Sequence, residues 1–440
     1  MSDANIRENG RCLGLERLPD RDRSLEAGAH PFQIPALIYP VAEARRDGWY
    51  FFQQEIEEVR RGRARVRGHG EMIMLGGYSY LGLQGHPGIE LAAIRAIERY
   101  GTGTHGVRLL AGTLPIHTEL EACIAELKGC EAAVVLSSGF MTNLTAIGSL
   151  VGPGDLVLSD SLNHASIVDG CRLSGAQVVK LHHNDMEDLE RKLQGAGTVR
   201  HTLVVADAVF SMDGDIYDLP SASRLCRQHG ALLMLDEAHS LGVIGSTGRG
   251  IEEHYGLGPD SYDLKMGTLS KAVPSNGGYL AAGAGIIELI RHQGRGFVYS
   301  ASLPPAQTAA ALKALELLCD EPWRVAALHE NIDVFTSALS RHGLDRGGSR
   351  TAIVPVICGS DATAFAVAHA CQREGIFVQA IPAPVVPPGT ARLRCIVTAD
   401  HEAGDLIRCA EVIAAACRRH GVTGGGAEPT VARREGRSHA

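Results

Sequence analysis

A chain of 440 residues can bury a large core in two or three structural units, and its 45% hydrophobic and 21% charged residues suit a globular protein. A formal charge of −8 leaves no electrostatic footprint for nucleic acid, and no run approaches the roughly 18 apolar residues of a membrane span. The cysteines, irregularly spaced and without a CxxC pair, signal neither a disulfide framework nor a metal cluster, so small-molecule chemistry in a reducing, cytoplasmic setting is expected.

Residues 1–30 are charged, lack the apolar core of a signal peptide and read as a disordered extension, with an N-terminal segment at 31–84. Helical and strand patterns then alternate. A helix over 87–100 places Leu91, Ile94 and Ile97 on one face, and one over 116–128 repeats the spacing with Leu120, Ile124 and Leu127. Seven short apolar runs follow, at 132–138, 155–160, 176–181, 201–210, 231–238, 264–270 and 277–283. They lack polar alternation, as do strands covered on both faces, so they predict one large, mostly parallel sheet in a domain spanning 85–320. Beyond it the order changes to helix (324–342), strand (351–358), helix (361–374), strand (375–381), strand (391–398) and helix (402–419). That order predicts a smaller α+β domain at 321–422, before a Gly-rich tail, 423–440, read as disordered. The fold class is thus α/β, with a smaller α+β domain.

Lys271 follows the apolar run LKMGTLS, at a strand end where α/β sheets open into a ligand crevice. One lysine there is weak evidence, but its companions matter. Asp236 closes ALLMLDEA, and a buried carboxylate needs a cation. The protonated pyridine nitrogen of pyridoxal 5′-phosphate (PLP) would be one, with His239 reaching the phenolic oxygen. A helix cap followed by a structural histidine is the alternative. Ser137, Ser138, Gly139 and Phe140 join a strand to a helix, where the N–H groups of Gly139 and Phe140 can hold a phosphate. Thr268 can add its hydroxyl, and His164 can stack on a planar ring, though a histidine alone would more often belong to core or surface. Gly101–Gly106 fits G-x-G-x-x-G but follows a helix rather than a strand, which argues against a dinucleotide site.

The segments YSYLGL (78–83), GTGTHGVRLLAGT (101–113), SDSLNHASIVDG (159–170), LDEAHSLGVIGSTGRG (235–250), GTLSKA (267–272) and PPGTARLRCIVTADH (387–401) resemble those of the α-oxoamine synthases. This is a PLP fold-type I family with an aspartate aminotransferase-like large domain. The resemblance runs from about Trp49 to Arg418 and implies decarboxylative condensation of an amino acid with an acyl thioester, from coenzyme A or a carrier protein. It makes Lys271 the Schiff-base lysine, Asp236 the pyridine partner, His239 the phenolic-oxygen donor and His164 the stacking ring, the four catalytic positions. Gly139, Phe140 and Thr268 become phosphate contacts, Ser211 a neighbour of the phenolic oxygen, and Arg394 the anchor of the amino-acid carboxylate. Ser300 matches a phosphate contact from a neighbouring subunit, so a homodimer with shared sites is implied. Ser79 replaces an asparagine common near the substrate, which leaves the amino acid and acyl donor open. An aminotransferase, an aldolase or a non-catalytic partner subunit are the competing readings.

Overall fold

The computed structural model describes residues 52–422; the extension 1–30 and the tail 423–440 lie outside them. The described chain opens with an antiparallel meander of β1 (Ile56–Arg60), β2 (Arg63–Val66) and β3 (Gly70–Met74). Arg61 and Gly62, at φ 48° and 70°, make the two-residue turn between the first pair. Sequence patterning did not single these strands out, because arginines and glutamates fill their exposed positions and only residues such as Ala64, Val66 and Met72 turn inward.

Helices α1 (Pro87–Tyr100) and α2 (Pro115–Lys128) follow, both with proline in the first turn, where its missing N–H costs nothing. The expected apolar face of α2 is buried, whereas Leu91, Ile94 and Ile97 of α1 are exposed and Ile89 and Ala96 face the core instead.

All seven predicted strands form one sheet. They are β4 (Ala132–Leu136), β5 (Leu156–Asp160), β6 (Gln177–Leu181), β7 (Thr202–Asp207), β8 (Leu232–Asp236), β9 (Leu264–Ser270) and β10 (Pro274–Ala282), in the order β4-β10-β9-β8-β7-β5-β6. Only β10 runs against the others, pairing antiparallel with β4 and β9; it begins three residues before the predicted start at 277. Connecting helices α3 (Gly139–Leu150), α4 (Ala165–Ser174), α5 (Met186–Gln194), α6 (Leu219–His229) and α7 (Ile251–Tyr255) alternate with the strands, and α8 (Ala284–Gln293), α9 (Arg295–Val298) and α10 (Pro305–Asp320) follow β10. All but the edge strand β6 feed two cores. Val135, Val204 and Leu235 belong to one apolar cluster, while Val134, Val205 and Met234 belong to the other, so neighbouring residues are apolar on both faces.

The last part contains α11 (Trp323–Arg341), β11 (Ile353–Gly359), α12 (Asp361–Arg373), β12 (Ile376–Phe377), β13 (Gln379–Ile381), β14 (Ala391–Ile396) and α13 (Ala403–Arg419). The run 375–381, read as one strand, divides between two sheets: β12 pairs in parallel with β3, and β13 pairs with β14 in the sheet β11-β14-β13. Alternation marks the run as extended but cannot name its neighbours. Seven cysteines, including Cys171, Cys226 and Cys395, are buried, as small apolar side chains would be.

Candidate active site

Three parallel strands end side by side, and the site is built on those ends. Asp207 closes β7, Asp236 closes β8 directly opposite it, and Lys271 follows β9. Two carboxylates in register cannot both stay charged cheaply. Burial and the neighbouring Asp236 push the Asp207 carboxyl well above the usual range. Asp236 accepts from Asn143 Nδ2 at 2.7 Å and from the Ala238 N–H at 2.9 Å. No basic side chain forms an ion pair with Asp236 among the described residues, which leaves this buried acid short of a cation.

Lys271 Nζ stands 2.8 Å from His239 Nε2, and His239 Nδ1 stands 2.7 Å from the Tyr80 hydroxyl. Burial lowers the Lys271 amine to about 8, against the upward pull of Asp236 and Asp207. Burial also takes the His239 imidazole well below its ordinary value, with Lys271 and Arg394 adding to the effect, so the ring is neutral at pH 7.

His164 caps α4, its Nδ1 2.7 Å from Ser166 Oγ, and its backbone N–H donates to Asp207 at 2.8 Å. Its ring meets Phe140 edge-on at 6.3 Å. Phe140 lies in the first turn of α3, where Ser138 caps the helix through the Met141 N–H and the N–H groups of Gly139 and Phe140 have no intrahelical acceptor. A Cβ on Gly139 would stand 3.0 Å from Thr268 Oγ1, so these predicted residues do converge, with a side chain at Gly139 crowded against the threonine.

On the opposite side, Arg394 is buried in β14. Its Nε donates to the Ser211 carbonyl at 2.6 Å and its Nη1 to the Tyr78 hydroxyl at 2.8 Å, yet no carboxylate pairs with it among the described residues. Arg392, also buried, donates instead to Asp213 Oδ1 at 2.5 Å and to the Met212 and Thr390 carbonyls. Alternation put both arginines on one face, but only Arg394 keeps a free charge. The loop carrying Ser211 is held by His183, whose ring lies 4.3 Å from Phe210 and bridges Asp160 and Asp215. Ser79 contributes a buried hydroxyl oxygen without a hydrogen-bond partner among the described residues.

Ser300 is not among the residues gathered here. It follows exposed Tyr299, and no described contact links it to the Lys271 cluster; Ser302, nearby, donates to the Gly106 carbonyl at 3.2 Å. Sequence reasoning missed Asp207, although it closes an apolar strand just as Asp236 does, and missed Tyr80 and Asn143, which carry no local signal.

These features fit PLP. The cradle at Gly139 suits its phosphate, the unpaired Asp236 its ring nitrogen, and the enclosed amine of Lys271 its aldehyde. Among the described residues, no group of three His, Cys, Asp or Glu side chains is placed to hold a metal ion, and no helix is long and apolar enough to cross a membrane.

Comparisons with known proteins show the family. The family model for aminotransferase class I and II matches residues 70–413. The 8-amino-7-oxononanoate synthase of Symbiobacterium thermophilum is 45% identical over 371 residues, covering 84% of this chain and 94% of that protein. The corresponding enzyme of Geobacter sulfurreducens is 47% identical over 350 residues, covering 78% and 88%. Among solved structures, a serine palmitoyltransferase from S. paucimobilis with bound PLP–myriocin shares 33% identity at a TM-score of 0.84, over 88% of this chain and 98% of that one.

Proposed function

The chain belongs to the α-oxoamine synthases of the aminotransferase class I and II family, PLP enzymes of fold type I that condense an α-amino acid with an acyl thioester and release CO₂, and we propose that its own product is 8-amino-7-oxononanoate. The identity to the synthases of that name supports the product, and the product's carbon skeleton defines the substrates. Carbons 8 and 9 with the amine are what alanine leaves after losing CO₂; carbons 1 to 7 are a pimeloyl unit, delivered as a thioester.

When bound, PLP supplies the electron sink that lets a proton leave the amino acid's Cα and CO₂ leave the condensed β-keto acid. Lys271 takes the Cα proton, because an amine held at about 8 is a poised base near neutral pH. Asp236 would keep a proton on the pyridine nitrogen of bound PLP, and His239 would donate to its phenolic oxygen beside Ser211. The His164 ring would cover one of its faces. The Gly139 and Phe140 N–H groups and the Thr268 hydroxyl would hold its phosphate. Arg394 grips the amino-acid carboxylate until decarboxylation, and Ser79 borders the space the substrate enters.

The observation that carries this reading is Arg394: a buried guanidinium without an anion, on a site whose other side holds an amine and a lone carboxylate. Ser300 serves the partner's phosphate in a homodimer. An isolated bridge between Val107 and Ala301 joins its surroundings to exposed Leu109, Leu110 and Tyr299, an apolar surface suited to a second copy. The large (85–320) and small (321–422) domains meet around the site, and the enzyme works in the cytoplasm, where its cysteines stay reduced.

The test supplies alanine, glycine or serine with pimeloyl or palmitoyl thioesters and measures CO₂ and free thiol. Equal yields of both from alanine and the pimeloyl thioester are expected. Amino-group transfer to an oxo acid without thiol release would point to an aminotransferase instead.

A further inference from the structure

We propose that Tyr80 is a positioning residue that fixes the tautomer of His239, directing a hydrogen-bond chain from the Tyr80 hydroxyl through the imidazole to Lys271. This rests on the roles assigned above to His239 and Lys271.

Tyr80 is fully buried, and its backbone is anchored on both sides: the Tyr80 carbonyl accepts from the Ala399 N–H at 2.8 Å and its N–H donates to the Tyr78 carbonyl at 2.8 Å. Among the described residues its hydroxyl has one partner, His239 Nδ1, at 2.7 Å. A hydroxyl with one partner can donate to it or accept from it. If Tyr80 accepted, its own proton would point into the core with no acceptor, and a buried unsatisfied donor is costly. Burial also pushes the phenol's ionisation far above its ordinary value, so the oxygen keeps that proton. Donation therefore wins, and it requires a lone pair on Nδ1. The ring proton then sits on Nε2, 2.8 Å from Lys271 Nζ.

Two consequences follow for the neighbours. While Lys271 carries a free amine, Nε2–H donates to the amine's lone pair, which opposes protonation of Lys271. Once the Lys271 nitrogen is engaged by cofactor, the same Nε2–H is left as a donor, directed by Tyr80 rather than by the lysine. The competing influence is a protonated Lys271, which would donate to Nε2 and force the other tautomer. Arg394, His164 and Tyr78 are the other charged or titratable groups around the ring, and none of them touches Nδ1.

The test uses protein labelled with ¹⁵N in histidine, as isolated with PLP and after its removal, with His239→Gln to assign the signals. At about pH 9, where Lys271 is largely neutral, wild-type His239 should show a protonated Nε2 and a bare Nδ1. In Tyr80→Phe the preference should fall by about tenfold or more, and the pH midpoint for PLP capture by the cofactor-free protein should move up by as much as about one unit. A protonated Nδ1 in the wild type at that pH overturns the proposal without any variant. So does a Tyr80→Phe protein whose tautomer and capture midpoint match the wild type. The reading of His239 is tested separately by His239→Gln: bound cofactor whose visible absorption titrates as in the wild type would remove His239 from the phenolic oxygen, whatever its tautomer.

Discussion

Two clusters of buried charge meet at the end of β8, and the chain passes from one to the other between adjacent residues. Glu237 enters a closed set: Oε1 lies 2.6 Å from Lys128 Nζ and accepts from the Tyr262 hydroxyl at 2.6 Å, while Oε2 accepts from Ser240 at 2.9 Å. Lys265 completes it, 2.5 Å from Glu252 and donating to the Lys128 and Pro259 carbonyls. Although burial pushes the Glu237 carboxyl upward, Lys128 and the hydroxyl donors hold it below its ordinary value. Asp236, one residue earlier, belongs to an open set in which the acid lacks a cation, Arg394 lacks an anion and Lys271 lacks its full charge. Buried ions cost several kcal/mol each unless paired. A fold that closes one set completely and leaves the other open reserves the second for a ligand that brings the missing charges.

The sharpest way to break that comparison is Lys271→Ala, which removes the base but no ion pair. Turnover should fall by about 10²–10⁴-fold or more, followed as exchange of the amino acid's Cα proton with D₂O, while the urea midpoint of the cofactor-free protein stays near that of the wild type. Glu237→Gln should do the reverse. Leaving Lys128 without its nearest carboxylate should cost about 3–5 kcal/mol in urea unfolding, whereas Asp236→Asn should keep stability and lose turnover. Equal stability losses in the two variants would erase the distinction between closed and open sets.

Arg394→Ala should raise the amino-acid concentration needed for saturation by roughly ten- to a hundredfold, the worth of a charge-assisted pair of about 1.5–3 kcal/mol. Arg392→Ala, which loses Asp213, should lower stability and leave that concentration nearly unchanged; the opposite pattern would move the anchor two residues. The smallest effect concerns pH. Burial lowers Lys271 from 10.5 to about 8, so its neutral fraction climbs steeply up to that pH, passes one half there and saturates about a unit above it. Stopped-flow capture of PLP should accelerate about tenfold per pH unit below pH 8 and level off above it. A rate still climbing at pH 10 would mean a lysine in an ordinary environment.

The open set was far more legible in sequence than the closed one. Asp236, His239 and Lys271 declare themselves because charge at the end of an apolar strand is anomalous, and β9 was readable to its last residue because Asp263 and Lys271 bracket it. Lys128 and Glu237 look like surface residues of a helix and a loop until their partners are known. Tyr80 and Asn143 meet the site across 159 and 93 positions of chain, a separation at which periodicity says nothing. The two arginines of β14 share a face, and only the tertiary position of Asp213 tells them apart.

The lone reversed strand, β10, has a consequence for how the molecule is made. Among the described residues, 132–136 of β4 find their only sheet neighbour in residues 278–282, so a nascent chain carries β4 as an apolar strand without that neighbour while the parallel strands are being synthesised. Gly278 also seats against Gly139, where a Cβ would come within 2.6 Å of the Gly139 Cα, so the start of α3 gains its backing only when β10 arrives. The start of α3 is thus completed late, after a long-range closure of the slow, aggregation-exposed kind.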